Sequence, residues 1–387
     1  MKDDGDAPLS LGRLVLRTLV VPAVVVVVAL GATVTVLNAV QPTGRGTSVA
    51  SSKLRPTAAA HRQGGPAATL VRHTSPPEHR VGSVGAAALG VVHRLASRPG
   101  AMGLGAYVGP GDAAAFRALS ARVPRGLAGG MDYLDDRTWS SIADPSWFLW
   151  RWEPLHVAMT YLVPMLPLSG GSLEAGAAGS YDGAFTHLAA ALVGANQGGA
   201  TLVLGSSPLE PGQPWSVYTE AAAKEYVAFY RRIVTVMRAV PGARFRFAYQ
   251  PGPVASGSTI GPGQCYPGSR YVSVVATEVF DQLYSAPPRG SDRFLHLLAA
   301  PYGLGWTARL AARQHRPLLI DGLGLLPAAN GGAGDDPAFV SALLAWAHRH
   351  DVMGVDLWSE GDTAFLPSTD PRSFAVVTSL VRSGELG

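Results

Sequence analysis

The chain has 387 residues, of which 47% are hydrophobic and 15% charged, with a formal net charge of +4. This is more than one compact unit of about 150 residues, but a single barrel absorbs about 250, and the apolar fraction is ample for a large core. The mild basic excess falls largely before residue 100 and contains no Lys/Arg cluster with interleaved aromatics, so no nucleic-acid partner is expected; the lone Cys265 excludes an intrachain disulfide and a cysteine-based metal site.

Residues 1–17 form a short polar tail, read as cytoplasmic. From Thr18 to Gly44 there is no charged residue, and LVVPAVVVVVALGATVTVL is long enough to cross about 30 Å of hydrocarbon as a helix. Residues 18–40 therefore read as a transmembrane helix in contact with the lipid bilayer, or as a long signal segment. Leu37 before Ala39 and Leu30 before Ala32 make poor cleavage sites, which favours the anchor. No second span follows, so the rest of the chain lies on one side. A long domain behind an N-terminal span is expected outside the cytoplasm, tethered to the cell membrane or secreted if the segment is cleaved. Residues 41–98 are rich in Ala, Gly, Pro, Ser, Arg and His and read as a disordered linker.

From about Pro99 short apolar runs alternate with amphipathic helices. The expected strands are Leu104–Val108, Leu127–Leu134, Val157–Val163, Thr201–Gly205, Arg244–Tyr249, a sixth led by Val272–Val275, Leu318–Ile320 and Met353–Leu357. Between them lie helices over Ala113–Arg122, Tyr181–Ala195, Thr219–Val240, Thr307–His315, Pro337–His350 and Arg372–Arg382, with a Trp-rich segment at Thr138–Pro154. In Thr219–Val240 the residues Tyr226, Phe229, Tyr230, Ile233 and Met237 recur at 3–4 spacing, one buried stripe. Eight strand–helix units argue for an α/β fold, a (β/α)₈ TIM barrel over 99–387.

Such a barrel gathers its chemistry just beyond the strand ends. The acids there are Asp132, Asp135, Asp136, Glu210, Glu278, Asp281, Asp321, Asp356 and Glu360, accompanied by Tyr107, Tyr133, Trp215, Tyr249, Phe280 and Trp358. Carboxylates beside aromatic platforms suit sugar chemistry, in which one acid protonates the leaving oxygen and another attacks or supports the anomeric carbon. They also suit helix caps and surface charge, which any barrel of this size carries. No metal-ligand spacing, nucleophile elbow, dinucleotide fingerprint or Walker loop occurs, so no metal or cofactor is expected.

The ordered set of motifs from Pro99 onward resembles glycoside hydrolase family 26, which includes β-mannanases and related endo-β-glucan hydrolases. LGAYV at Leu104–Val108 resembles the family's first strand. Tyr181-Asp182-Gly183, the helix of Thr219–Val240 and the strand of Arg244–Gln250 follow in the family's order. Tyr266-Pro267-Gly268 with Tyr271-Val272 resembles its Tyr-Pro-Gly-x-x-Tyr-Val segment. RPLLIDGLG at Arg316–Gly324 resembles the nucleophile strand, and Trp358 the aromatic after strand eight.

The departures fall at the catalytic positions. Counting back from Pro214-Trp215 puts Ser207 where the family has its acid/base Glu, with Leu209 at the Asn position and Glu210 three residues late. On strand seven Gly322 stands at the nucleophile position and Asp321 one residue early. A one-residue offset turns a side chain to the opposite face unless a bulge re-aims it. The resemblance implies a barrel that engages a polysaccharide of the β-mannan or β-glucan type, with Tyr107, Trp215, Tyr249, Phe280 and Trp358 as substrate-binding residues and with hydrolysis lost or altered. The alternatives are an active endo-β-glycosidase using the catalytic candidates Glu210 with Asp321 or Glu278, and a non-catalytic scaffold for protein partners.

Overall fold

The computed structural model describes residues 102–254, 258–283, 290–361 and 364–387. The expected tail, membrane span and linker lie outside these residues. Among the described residues no helix is long and apolar enough to cross a membrane.

Eight parallel strands close a barrel in strict chain order: β1 (Gly103–Tyr107), β2 (Gly129–Tyr133), β3 (Ala158–Val163), β4 (Thr201–Leu204), β5 (Arg246–Tyr249), β6 (Val274–Phe280), β7 (Leu318–Gly324) and β8 (Val352–Trp358). Closure is made by β1 against β8, with Gly105 opposite Asp356 and Tyr107 opposite Trp358. The outer layer is built from α1 (Ala113–Ser120), α2 (Trp139–Ala143), α3 (Ser146–Trp152), α4 (Leu173–Ala177), α5 (Asp182–Gly194), α6 (Glu220–Arg238), α7 (Gly290–Ala299), α8 (Leu304–Arg313), α9 (Pro337–His348) and α10 (Pro371–Ser383).

Side-chain alternation along the strands divides the core in two. Tyr107, Met131, Leu162, Val203, Ala248 and Leu319 fill the barrel interior. Their neighbours, such as Leu202, Phe247 and Ile320, pack outward against the helices. Helix α6 shows how sequence sets this layer. Thr219 caps its first turn by accepting from the Ala222 amide at 3.1 Å. Its buried stripe carries Tyr226, Phe229, Tyr230, Ile233 and Met237, each burial contributing roughly 1.5–3 kcal/mol. The two tyrosine hydroxyls are not stranded, because Tyr226 donates to the Gly205 carbonyl at 2.8 Å and Tyr230 to the Ala248 carbonyl at 2.9 Å.

Two features go beyond the sequence pattern. The helices at Leu173–Ala177 and Gly290–Ala299 fall in stretches to which the sequence assigned no element. Strands β6 and β7 also run further than their apolar cores, to Phe280 and Gly324, and the added residues carry the acids and glycines of the barrel mouth. The register slips between Thr277 and Glu278 on β6, and between Ile320 and Leu323 on β7.

Candidate active site at the barrel mouth

Those slips decide where the carboxylates of β6 and β7 point. Opposite β8, Ile320 pairs with Val355 and Leu323 with Leu357, so β7 carries an extra residue. Asp321 is fully buried and accepts from Gln250 Nε2 at 2.9 Å through Oδ2. Gly322 opens onto the same interior: a Cβ placed there would lie 3.1 Å from Glu278 Cγ and 3.6 Å from the Trp358 ring. Consecutive residues of one strand thus face the same side, with Gly322 toward the mouth. Glu278 pairs directly with Gly322 across the ladder, and its side chain takes the room that a residue larger than glycine would occupy.

Glu278 is partly exposed and accepts from the Tyr133 hydroxyl at 3.4 Å. Burial raises its pKa above the ordinary carboxylate range, and the negative fields of Asp321 and Glu210 add to this. Asp321 is raised too, by burial first, with Gln250 donation opposing and Asp356 adding to the rise. Burial of both carboxyls, with the field of Asp321 on Glu278, favours the protonated form of this pair over two ionised groups. A carboxyl held protonated can donate to a leaving oxygen.

Deeper in the barrel, Asp356 is pushed up to about 7 by burial. Its carboxylate has room because β1 carries Gly105 opposite it; an added Cβ there would fall 2.0 Å from Asp356 Oδ1. Asp356 Oδ2, Asp321 Oδ1 and Gln250 Oε1 have no hydrogen-bond partner among the described residues. Gln250 was not among the sequence candidates. Its signal was positional only, a polar residue at the end of a strand whose preceding residue is buried outward.

Glu210 stands half-buried in the loop after β4. Burial raises its pKa, and the polar Ser207 side chain nearby opposes the rise. Ser207 itself is nearly inaccessible and adopts φ 53°, its side chain pressed against Gly252 so closely that a Cβ on Gly252 would meet Ser207 Oγ at 2.1 Å. Ser207 therefore packs against the loop after β5.

Four aromatic rings roof the interior. Tyr107 lies 4.6 Å from Trp358 and 5.2 Å from Tyr133, and Phe280 lies 5.5 Å from Trp358. Tyr133, Phe280 and Trp358 keep part of their surface open. Tyr107 is buried, and burial, with the nearby Glu360 carboxylate adding to it, raises its hydroxyl well above the usual range. Two proposed binding aromatics are elsewhere. Tyr249 faces outward from β5, fully buried, with its hydroxyl donated to the Pro262 carbonyl at 2.6 Å. Trp215 is 5% exposed and donates to the Ser206 carbonyl at 2.8 Å, so it braces the β4 loop.

Asp132, Asp135 and Asp281 are structural. Asp132 points outward from β2 and accepts from the Gly111 amide (2.9 Å), the Tyr133 amide (2.8 Å) and Trp152 Nε1 (2.7 Å). Asp135 pairs with Arg137, and Asp281 takes the Leu326 and Ala333 amides beside the buried Arg293. No group of three or more His, Cys, Asp or Glu among the described residues is arranged to hold a metal ion. Cys265 is buried, and burial pushes its thiol up to about 12.

Solved structures with this architecture include domains of glycoside hydrolase family 26. The GH26 domain of the endo-β-mannanase/endo-β-glucanase of Prevotella bryantii superposes with a TM-score of 0.51 at 10% identity, covering 78% of this chain and 94% of that one. A Cellulomonas fimi endo-β-1,4-mannanase double mutant gives 0.52 at 15%, covering 76% and 73%. The catalytic domain of the GH26 endo-β-1,4-mannanase of Bacillus sp. JAMB-750 gives 0.51 at 12%, covering 79% and 91%. The chain has a GH26-like fold. No family model matches the sequence, and no curated protein matches it. At these identities the likeness speaks for the fold, and the site must be argued from its own residues.

Proposed function

We propose that this chain is a membrane-tethered, extracytoplasmic GH26-like barrel that engages a β-linked polysaccharide of the β-mannan or β-glucan type at its C-terminal mouth, without the hydrolysis carried out by the family's two glutamates. The carrying observation is Gly322. It stands at the mouth between Glu278 and Trp358, on the strand where the family holds its nucleophile, and it has no side chain to offer. The carboxylate beside it, Asp321, is fully buried beneath the mouth. Ser207, at the acid position, is packed against Gly252. The partly exposed rings of Trp358, Phe280 and Tyr133 offer stacking surface, with Glu278 and Glu210 as hydrogen-bonding groups, which suits a sugar-binding site.

The test is affinity electrophoresis in gels containing β-mannan or mixed-linkage β-glucan, run beside a reducing-sugar assay on the same polymers. Retarded migration that Trp358→Ala abolishes, with no release of reducing ends, is the expected result. Migration unaffected by every polymer would overturn the proposal.

One observation favours a second reading, an active endo-β-glycosidase. Glu278 fills the space over Gly322 from the neighbouring strand, so a carboxyl is present near the position that β7 has lost. Glu210, whose field reaches it, would be its partner. Release of reducing ends that is lost in both Glu210→Gln and Glu278→Gln, with binding retained, would establish this reading over the first.

A further inference from the structure

The sequence SWFLWRW of α3 is not explained by the mouth. Phe148, Leu149 and Trp152 face the core, while Trp147 is 47% and Trp150 62% exposed. A surface helix normally places polar residues on that face. Here two indoles stand three positions apart, neighbours on one side of the helix.

Both rings rest on neighbours: the Trp147 indole meets the buried Phe148 ring edge-on at 4.8 Å, and Trp150 is engaged from two sides. Trp150 Nε1 donates to the Trp147 carbonyl at 2.8 Å, and the Arg151 guanidinium lies 5.4 Å from the Trp150 ring centroid. Arg151 in turn donates to the Gly111 carbonyl at 3.3 Å. From below, Trp152 Nε1 and the Gly111 amide both bond Asp132 Oδ2, which ties the helix to the loop after β1. That loop leads to the mouth: a Cβ on Gly109 would lie 3.2 Å from Glu360 Oε1, and the Glu360 carboxylate stands close enough to Tyr107 to act on its hydroxyl. The exposed pair therefore sits on a rigid support continuous with the mouth.

We propose that Trp147 and Trp150 form a second stacking platform for a β-linked polysaccharide, outside the mouth and contacted only by chains long enough to leave it. This rests on the glycan reading of the mouth. β-linked pyranoses present flat C–H faces that pack on indoles, and rings fixed in advance bind without a further ordering cost. The charge pattern disfavours a lipid surface. A helix lying on a membrane carries a Lys/Arg-rich polar face, whereas Arg151 is flanked by Asp144 and Glu153 and already engaged.

The experiment compares the full-length wild type, Trp147→Ala/Trp150→Ala and Trp358→Ala, with folding checked by near-UV circular dichroism. Titrants are soluble β-mannan, mixed-linkage β-glucan, their hexasaccharides, and phosphatidylglycerol vesicles. The double variant should lose about tenfold in affinity for a polymer while binding its hexasaccharide as the wild type does. Equal polymer affinity in the double variant, with loss in Trp358→Ala, would remove the platform and leave the glycan reading intact. No binding of any saccharide by the wild type would remove both. A wild-type tryptophan emission shift with vesicles, absent from the double variant and from the polymer titrations, would assign the surface to lipid and overturn the proposal.

Discussion

Asp356 ties the stability of this barrel to pH in a direction opposite to that of a salt-bridged carboxylate. It is 6% exposed in the interior, one oxygen is without a partner among the described residues, and burial moves its pKa from an ordinary 3.8 to about 7. The folded state thus binds this proton more tightly than the unfolded chain. The stabilisation is fully present below about pH 3.8 and is lost as the pH rises through about 7. At about 1.4 kcal/mol for each tenfold in proton affinity, the loss approaches roughly 4 kcal/mol by pH 8, an upper figure set against a total stability of about 5–15 kcal/mol. Asp356→Asn keeps the shape and removes the titration. Urea unfolding followed by tryptophan fluorescence at pH 4, 6 and 8 should show the variant gaining on the wild type as pH rises, with unchanged m-values. The gain will include a contribution from Asp321, which is released from the field of Asp356. A wild-type-to-variant difference that stays constant from pH 4 to pH 8 would refute the argument, because it would mean that Asp356 titrates alike in the folded and unfolded chain.

Gly105→Ala should destabilise by about 1–3 kcal/mol or more, since its Cβ would collide with Asp356 Oδ1 and with the Gly129 backbone; thermal unfolding would read the loss. Asp281→Ala should cost about 3–5 kcal/mol in urea titrations, because it leaves the buried Arg293 without its carboxylate and the Leu326 and Ala333 amides without their acceptor. Trp152→Phe removes one donor from the buried Asp132 and should cost about 1–3 kcal/mol, with faster amide exchange across Ser146–Trp152 as the local signature.

Much of the fold was legible because it depends on periodicities short enough to be local. Alternating apolar runs and 3–4 spaced stripes mark each strand and most helices, and α6 matches its stripe residue for residue. Leu173–Ala177 was missed because five residues with two glycines nearby carry no stripe; Gly176 is there for contact with the Phe229 ring, a tertiary reason. The site was legible as a set of acids and aromatics near strand ends but not as an arrangement. Asp132, Asp281 and Glu278 look alike in sequence. Only the fold turns the first toward Trp152, locks the second beside Arg293 and opens the third to the mouth.

By itself the sequence determined the alternation of strands and helices, the absence of carboxylate side chains at positions 207 and 322, and the pool of residues from which any site is drawn. The tertiary structure decided which of them meet. A single extra residue on β7 brings Asp321 inward to Gln250 while Gly322 faces Glu278, and the outward turn of β5 takes Tyr249 out of reach of the mouth. Register slips of this kind arise from how neighbouring strands settle against one another as the barrel closes, and they leave no mark in the order of residues along one strand.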